Sequence, residues 1–480
     1  MAKTSIRASG LALLLAMTAA GCGTTEKDLT ASPVPADVSA GRVKDGGVWR
    51  ESLHGDPTSL DPAFGGHGGY KLVKLLFTGL TTFEQNRDLT MHPGVAERWS
   101  SNPGCTVWTF SLRRSTFSND EPVTAESFIR GWTRAADGRA ASPFAYHLSV
   151  IQGYDALHGT ASAPPSASTF SGLSAPDPQT LVVRLNAADC EFDKRTLHIV
   201  YSPVPSVAGS ADDRTYNEAP IGNGPFMLKP SLGWEHEKRI SLVRNDSYFG
   251  AKPHLDGIEF VIFAHGTPAP APYPAFQAGE LDVASVPIGI RRAAEARYSP
   301  QGAFLLQLPF TVSYLAPNNA RPPLNNPDAR RAISLAIDRE AIAQALGEGV
   351  GASVGAGATS AFVGPPFGSY HQRGVCDACR YDPAAAKELA SRSGLGPGTQ
   401  IRLLGSGALV QAYKQQIETS LGIVVEADGL AVNEKRDRGD FDLYPTTWTA
   451  DYPTPDTFLG PLLGKGSPEN FSRYDNVEYE

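Results

Sequence analysis

Alternating and helical patterns of apolar residues follow one another along most of the chain. Apolar and polar residues alternate strictly in Val107–Arg113, which predicts a half-buried strand. The leucines of Tyr70–Thr78 recur at helical spacing, and Gly79 is placed to end that helix. Strands and helices are therefore both expected within a short stretch of sequence.

Similar patterns of apolar residues occur along the rest of the chain. Short apolar runs predict further strands at Gly47–Leu53, Leu181–Leu185, Gly224–Leu228, Ile240–Arg244, Leu255–Phe263, Ile401–Leu404 and Ile423–Glu426. Helical spacing predicts further helices at Thr124–Trp132, Ala329–Leu346, Ala384–Ser391 and Val410–Leu421. Thr124 is the expected N-cap of the first of these, and Ala329–Leu346 has the clearest apolar face. Because helices and strands alternate, the predicted fold class is α/β with mixed sheets.

A short apolar run near the N-terminus has another meaning. Lys3 and Arg7 precede Leu11–Met17, which is too short to span a bilayer, and small residues follow it. Cys22 comes directly after those small residues. This arrangement resembles a bacterial lipobox, in which the cysteine is lipidated and becomes the first residue of the mature protein. An ordinary secretory signal with an incidental cysteine is the alternative.

Residues 22–45 contain too few apolar positions to fold alone. They are rich in Ala, Ser, Pro and Asp, which predicts a flexible tether between the membrane and the folded part. With residues 1–21 as the signal peptide, the protein is expected to be exported and anchored at the extracytoplasmic face of the cell membrane.

Composition limits the possible classes of protein. The 480 residues allow about two to four compact units. The apolar fraction of 41% is ample for a buried core, and no second long apolar run predicts a membrane span. The formal charge is −8 and becomes about −10 without Lys3 and Arg7. Since nucleic-acid binding needs clustered cations and the arginine doublets here are scattered, nucleic acid is excluded as a partner.

The other four cysteines suit an oxidising compartment, because their number is even. Four cysteines allow three pairings. The close spacing of Cys376 and Cys379 favours a disulfide between them, which leaves Cys105 to pair with Cys190. A redox centre or half of a zinc site is the alternative for Cys376 and Cys379.

Motifs for catalysis are weak or absent. Gly351-Ala-Ser-Val-Gly355 matches the GxSxG pattern, so an exported hydrolase that uses Ser353 is an alternative. The motif follows a helix and lies among glycines and alanines, whereas a nucleophile elbow needs a strand before it and a helix after it. The metalloprotease, P-loop and dinucleotide motifs do not occur, and the ten histidines do not cluster at ligand spacing. We therefore expect no enzyme activity, no cofactor and no metal site.

A dozen short phrases together resemble one family. They are Ser59–Pro62, Leu76–Leu80, Pro93–Trp99, Trp108–Arg113, Phe117–Thr124, Phe128–Trp132, Gly222–Phe226, Arg244–Tyr248, Ala278–Val283, Ala332–Glu340, Tyr381–Leu389 and Trp448–Leu459. In this order they resemble the oligopeptide- and dipeptide-type solute-binding proteins of ABC importers, extracellular family 5. The resemblance runs from about Gly46 to the last residue, and it agrees with the lipobox, since Gram-positive receptors of this kind are lipoproteins.

The resemblance implies a large periplasmic-binding-protein-like fold with two lobes, three subdomains and mixed sheets around a ligand cleft. Residues 46–83 and 199–308 are expected to form lobe I, residues 84–198 its inserted subdomain, and residues 309–480 lobe II. Leu308–Leu315 lies where the family crosses between lobes, and lobes that reopen need such hinges. Family members continue past the Tyr474-Asp-Asn phrase and return to lobe I. This sequence stops at Glu480, so that return is expected to be missing.

The function implied by the resemblance is capture of short peptides and their delivery to the permease and ATPase subunits of an importer. The receptor is expected to be a monomer and not an enzyme. Relatives in the family also carry nickel chelates, oligosaccharides or opines, so a receptor for a non-peptide solute is the first alternative.

Asp451 is the leading candidate for ligand binding. In peptide-binding members, the acidic residue of the Trp-x-x-Asp phrase pairs with the α-amino group of the ligand, and Asp451 occupies that position. A carboxylate that caps the turn at Pro453 is the alternative. By the same resemblance Trp448 lines a side-chain pocket, with core packing as its alternative. The further candidates are Thr449, Tyr452, Tyr146, Phe144, Gly66, His67 and Asn223.

The lipobox generates the first prediction. Cys22→Ala should leave the signal uncleaved at this site or release the protein to the medium, because a protein without acyl chains loses its anchor. Cell fractionation and mass spectrometry of the N-terminal peptide measure both outcomes. Unchanged membrane retention together with an unchanged N-terminal mass would contradict lipidation.

Overall fold

The structure is a computed structural model that describes residues 44–66, 68–83, 90–160, 162–210, 215–264, 271–287, 290–305, 310–343 and 376–479. Several sequence predictions therefore lie outside the described residues: the signal, Cys22, almost all of the tether, His67 and the GxSxG motif at Ser353. Within the described part of the chain, no helix has the length and apolar character needed to cross a membrane.

The strands lie mainly in three sheets. In chain order they are β1 (Val48–His54), β2 (Thr81–Phe83), β3 (Met91–Pro93), β4 (Ala96–Ser101), β5 (Val107–Leu112), β6 (Leu173–Asp177), β7 (Thr180–Arg184), β8 (Phe226–Leu228), β9 (Trp234–Glu235), β10 (Arg239–Arg244), β11 (Gly257–Phe263), β12 (Thr311–Pro317), β13 (Gln400–Leu404), β14 (Val424–Asp428) and β15 (Leu443–Thr449).

The α-helices that lie wholly within the described residues are α1 (Gly69–Leu76), α2 (Ala125–Ala136), α3 (Tyr154–His158), α4 (Phe192–Arg195), α5 (Pro272–Gln277), α6 (Arg291–Tyr298), α7 (Pro327–Leu335), α8 (Pro383–Ser393), α9 (Ala408–Leu421), α10 (Val432–Arg438) and α11 (Asp456–Leu463). Short 3-10 segments at Ala145–Val150 and Ile199–Tyr201 carry or adjoin residues of the candidate site.

The first sheet has the strand order β1-β11-β10-β8, with β9 added beside β10. Strand β1 pairs in parallel with β11, while β10 is antiparallel to β11 and β8, so the sheet is mixed. The predicted strands at Gly224–Leu228 and Ile240–Arg244 are both present, and they pair with Leu228 opposite Leu242. Helix α1 belongs to the same hydrophobic core through Leu72 and Leu76.

The middle sheet, β4-β5-β7-β6, is antiparallel throughout. Its strand β5 alternates half-buried and buried positions from Val107 to Leu112, which confirms the pattern of the sequence. The buried face joins one core with α2, where Phe128 and Trp132 are fully buried. The indole of Trp132 also donates a hydrogen bond to the carbonyl of Tyr201 at 2.8 Å.

The C-terminal sheet has the order β12-β15-β13-β14. Strand β15 is antiparallel to β12 and parallel to β13, so this sheet is mixed as well. Residues of α7, α8 and α9 share its core, including Ile333, Ala386 and Ile417. The α/β class with mixed sheets is therefore confirmed.

The prediction of one helix over Ala329–Leu346 is wrong. Helix α7 ends at Leu335, and the backbone becomes helical again only at residues 339–343. At the break, the side-chain amide of Gln416 accepts a hydrogen bond from the backbone N–H of Asp338 at 2.8 Å and donates to its carbonyl at 3.2 Å. Asp338 then accepts the N–H of Ala341 through its carboxylate, as an N-cap does. A distant glutamine thus replaces the helical hydrogen bonds at this point.

Both disulfides join the cysteines that the spacing favoured. Cys105 is bonded to Cys190 and Cys376 to Cys379, with Cα atoms 5.0 Å and 5.3 Å apart. Because both sulfurs of the close pair are engaged in that bond, neither is available as a zinc ligand.

A buried ion pair connects the loop after β1 to helix α2. Asp61 is fully buried and Arg134 is 4% exposed, and the carboxylate accepts a short hydrogen bond from the guanidinium. The guanidinium also lies over the rings of Phe64 and Tyr216, 5.6 Å and 5.9 Å from their centroids. This pair ties the first sheet to the core of the middle sheet.

Asp61→Asn should therefore destabilise the protein by about 3–5 kcal/mol, because it leaves the buried charge of Arg134 facing a neutral amide. The double variant Asp61→Leu/Arg134→Met should recover most of this loss, since it removes both charges. Urea unfolding measures the effect. The exposed pair of Lys465 and Asp475 is the matched control, and Asp475→Asn should cost under about 1 kcal/mol. Equal effects of the Asp61 and Asp475 substitutions would contradict the structural role of the buried pair.

Candidate ligand-binding site

Asp451 lies just after the end of β15, where the chain turns toward α11. Its backbone N–H donates to the hydroxyl of Thr457 at 2.9 Å, so the turn is closed without the carboxylate. One carboxylate oxygen, Oδ2, is buried and has no hydrogen-bond partner among the described residues. The side chain therefore does not cap the Pro453 turn. It points into a recess formed with residues from other parts of the chain.

Two histidines face this carboxylate. The Nε2 atom of His147 lies 3.7 Å from Oδ2 of Asp451, and the Nε2 atom of His198 lies 3.9 Å from Oδ1. Both imidazoles are almost fully buried, and within the described part of the chain neither Nε2 atom has a hydrogen-bond partner. Their rings stack on each other with centroids 4.0 Å apart. Neither histidine belongs to a recognised motif, so this cluster was not predicted from the sequence.

The tautomer of His198 follows from its backbone neighbour. The N–H of Val200 donates to Nδ1 of His198 at 3.2 Å, so the proton of the neutral ring is on Nε2 and points toward Asp451. Burial, with the positive charge of Arg195 as a second cause, lowers the pKa of His147 to about 3. Burial likewise lowers the pKa of His198, so both rings are neutral at physiological pH.

Helix α1 supplies the opposite wall of the recess. The side chain of Lys74 is exposed, yet the pKa of its ammonium is lowered to about 8, chiefly because the surrounding protein removes bulk water. The ammonium donates to the carbonyl of Leu197, and the ring of Tyr70 lies 5.4 Å from that of His198.

The charge state of Asp451 is set by this environment. The pKa of its carboxyl is raised to about 7, first by removal from water and second by the negative charge of Glu469, while Lys74 acts in the opposite direction. Burial also raises the pKa of Glu469. Two carboxyl groups and one ammonium thus share a poorly hydrated space, which favours a positively charged guest.

Phe144, Tyr146 and Gly66 lie at this recess. The ring of Phe144 meets that of His198 edge-on at 4.9 Å, and Tyr146 stacks on His147 at 4.2 Å. Gly66 packs close to the same phenyl ring, since a Cβ built on it would lie 4.0 Å from Cζ of Phe144. These three candidates therefore surround the histidines that face Asp451.

Other candidates have structural contacts instead. Asn223 is fully buried, and its side chain forms two hydrogen bonds of 3.0 Å to the backbone of Thr78. The indole of Trp448 donates to the carbonyl of Thr457 at 2.7 Å and packs with a small core around Phe458. Thr449, the last residue of β15, is exposed, and its hydroxyl forms a hydrogen bond of 2.7 Å with that of Thr311 on β12. These contacts agree with packing roles.

Tyr452 belongs to an ion-pair cluster beside the recess, and it is only 2% exposed. Its hydroxyl accepts from Arg195 at 2.9 Å and donates to Asp456 at 2.8 Å. Arg195 also forms ion pairs with Asp456 and, at 2.5 Å, with Asp189. We name these four residues the Arg195 clasp. It connects α4, beside the middle sheet, to the chain that follows β15.

The donor set of His147, His198 and Asp451 raises the question of a metal ion, since the three ligand atoms lie within 4.8 Å of one another. Two imidazoles and a carboxylate suit zinc in principle. Here the two rings are stacked on each other. The hydrogen bond from Val200 to Nδ1 of His198 also keeps the proton of that ring on Nε2, the nitrogen that would bind the metal. The arrangement does not fit an ion that needs converging lone pairs, because His198 presents an N–H to the carboxylate and not a lone pair.

Comparison with known proteins places the chain among solute-binding proteins. The family model described as bacterial extracellular solute-binding proteins, family 5 Middle, matches residues 90–470. The periplasmic murein peptide-binding protein MppA of Escherichia coli is 28% identical over 446 residues, which cover 88% of this chain and 79% of that protein. The oligopeptide-binding protein OppA of Bacillus subtilis is 26% identical with the same coverage.

A solved structure gives the same result. The murein tripeptide binding protein MppA of Escherichia coli is 26% identical and superposes with a TM-score of 0.69, covering 91% of this chain and 86% of that one. The predicted periplasmic-binding-protein-like fold is therefore confirmed.

The raised pKa of Asp451 predicts a pH-dependent cost in stability. When a carboxyl has a higher pKa in the folded than in the unfolded protein, the folded protein loses stability as pH rises between the two pKa values. For Asp451 these are near 4 in the unfolded and about 7 in the folded protein. Asp451→Asn should therefore stabilise the ligand-free protein by roughly 2–4 kcal/mol at pH 8 and change it little at pH 4. Urea unfolding of refolded, ligand-free protein at both pH values measures this. An equal difference between the two proteins at pH 4 and pH 8 would refute it.

Proposed function

This chain belongs to family 5 of the bacterial extracellular solute-binding proteins, and we propose that it captures short peptides outside the cytoplasmic membrane and delivers them to an ABC importer. Membership in the family makes it a binding protein and not an enzyme. The observation that carries the peptide proposal is the Asp451 carboxylate, which is desolvated and has an oxygen without a partner among the described residues.

The reason is electrostatic. A carboxylate removed from water is costly unless a cation pairs with it. The ammonium of Lys74 is bonded to a backbone carbonyl, and both histidines are neutral, so the cation is best supplied by the guest. The α-ammonium of a peptide has the required charge and three N–H donors.

The relatives support peptides as the cargo. MppA of Escherichia coli is named for binding a murein peptide, and OppA of Bacillus subtilis for binding oligopeptides. A peptide fits this cleft also because aromatic rings, those of Tyr70, Phe144 and Tyr146, stand beside the carboxylate and offer apolar surface to the first side chain.

The division into lobes is part of the proposal. The strands of the first sheet fall within residues 46–83 and 199–308, those of the middle sheet within 84–198, and those of the C-terminal sheet within 309–480. Asp451 follows the C-terminal sheet, whereas His147 and Lys74 come from the other two regions, so the recess lies between the proposed lobes. The Arg195 clasp would help to hold such lobes together around a ligand.

Anchoring and partners complete the proposal. The lipobox at Cys22 attaches the receptor to the extracytoplasmic face of the cell membrane, and residues 22–45 let the folded part reach the permease. The receptor acts as a monomer and is loaded and emptied by movement of its lobes.

Asp451→Asn keeps the size of the side chain but removes the charge that an ammonium needs. If the pair is enclosed, this substitution should weaken binding of a short peptide by about 2–5 kcal/mol. The same peptide with an acetylated N-terminus should bind the native protein poorly, because it lacks the cation. Isothermal titration calorimetry at pH 8 measures both effects, and chromatography of the recovered peptide checks that it is intact.

The matched control is Asp246→Asn, which removes an exposed carboxylate at the border of the first sheet and should leave the affinity unchanged. Binding that survives both Asp451→Asn and acetylation would show that the guest is held in another way. Cleavage of the peptide by the native protein would overturn the receptor function itself.

A further inference from the structure

We propose that His147 and His198 are a pair of neutral N–H donors that keep the Asp451 carboxylate ionised and turned toward the ligand. We call these two residues the histidine pair. This inference deepens the proposed function and rests on it, because it assigns two positioning residues to the ammonium site of the peptide receptor.

The two Nε2 atoms of the histidine pair face the two carboxylate oxygens of Asp451, and we call this arrangement the clamp. Each Nε2 atom faces a different oxygen of Asp451, at 3.7 Å and 3.9 Å, and the stacked rings direct both atoms to the same side. These distances exceed an ordinary hydrogen bond by less than about 1 Å. Catalytic and binding contacts are often this long without ligand and shorten when the ligand is bound.

Buried polar atoms without hydrogen-bond partners make it favourable for the distances between the histidine pair and Asp451 to shorten. Both Nε2 atoms and Oδ2 of Asp451 are buried and lack hydrogen-bond partners in the described part of the chain. Leaving such groups unpaired in the protein interior is unfavourable. Movement of the segment after β15 toward the Ala145–Val150 segment satisfies all three atoms at once, so closure around the ligand and formation of the clamp reinforce each other.

Neutrality of the rings is essential to this role. The N–H of Val200 fixes His198 as a donor through Nε2. The ring of His147 is stacked between those of Tyr146 and His198, which fixes its plane. A neutral N–H stabilises the ionised carboxylate but leaves its charge available to the ligand. An imidazolium in the same place would neutralise Asp451 and compete with the ammonium of the peptide.

The other groups around the carboxyl do not provide this stabilisation. Within the described part of the chain, the titratable groups that face Asp451 are Tyr70 and Lys74 of α1, Tyr146 and His147 of the 3-10 segment, His198, and Glu469 of the C-terminal segment. Glu469 opposes ionisation of Asp451, and the ammonium of Lys74 is already bonded to Leu197. Hydrogen bonds from the histidine pair are therefore the means of holding the charge when the cleft closes.

The test is the pH dependence of peptide binding in variants of the pair. In the native protein, affinity for a peptide with a free N-terminus should rise with pH as Asp451 ionises and fall again above about pH 8, where the peptide's ammonium loses its proton. His147→Leu and His198→Leu should each move the midpoint of this rise upward by about one pH unit, which is about tenfold in affinity below the midpoint. His147→Gln retains an N–H and should restore the native midpoint. Calorimetry from pH 5 to pH 9 measures these profiles.

A merely structural role gives a different result. Loss of packing alone would weaken binding by the same factor at every pH and leave the midpoint unchanged, which would overturn the proposal. Failure of His147→Gln to restore the midpoint would overturn it as well.

A second measurement is independent of any ligand. The difference in unfolding free energy between the native protein and the Asp451→Asn variant, followed against pH, reports the pKa of Asp451 in the free protein. In the His147→Leu background this pKa should be higher than in the native background, because His147 already faces the carboxylate at 3.7 Å in the free protein and acts on its charge there. An identical pKa in both backgrounds refutes the clamp. If the native protein binds no peptide, the receptor function fails, yet this measurement still decides the role of the pair.

A metal site is the competing explanation for the same atoms. Cobalt(II) would then give visible absorption bands of a bound N/O complex that disappear in His147→Leu, and peptide binding would be sensitive to EDTA. Either result would overturn the proposal. We expect no cobalt complex at these residues and equal peptide affinity with and without EDTA.

Discussion

The carboxylate of Asp451 is held in a poorly hydrated recess, and the arrangement around it depends on the cost of that burial. The two neighbouring imidazoles are neutral, Glu469 has the same sign, and Lys74 is bonded to a backbone carbonyl. The fold therefore buries a carboxyl group that carries a negative charge above its pKa and whose Oδ2 has no hydrogen-bond partner among the described residues. Such a charge destabilises the empty protein and strengthens its attraction for a cationic guest, a compromise that is common at functional sites.

Much of the fold could be predicted from local patterns. The strict alternation of β5 and the leucine spacing of α1 are direct consequences of one buried face, and the structure has both elements where they were expected. The helix over Ala329–Leu346 shows the limit of this reasoning. Its apolar face is continuous, but Gln416, far along the chain, bonds the backbone of Asp338 and breaks the helix. Periodicity carries no information about such a partner.

The candidate site was only partly predictable, for a similar reason. The Trp-x-x-Asp phrase located Asp451, and the aromatic residues near Pro143 located Phe144 and Tyr146. A phrase identifies a segment but not the direction of each side chain, so Trp448 and Asn223 were assigned to the ligand although their side chains bond to backbone. The histidine pair left no trace in the sequence, because its members lie in separate segments and meet only through folding.

The Cys105–Cys190 disulfide has a mechanical consequence for the cleft. Cys190 begins a short stretch that continues through Arg195 of the clasp to His198, and Cys105 precedes strand β5. Asp189 reinforces this attachment, since its carbonyl accepts the indole N–H of Trp108 at 3.1 Å. One wall of the recess is thus covalently fixed to the middle sheet. In the proposed opening and closing of the lobes, Arg195 and His198 would therefore move with that sheet, and the moving boundary would lie on the side of Asp451.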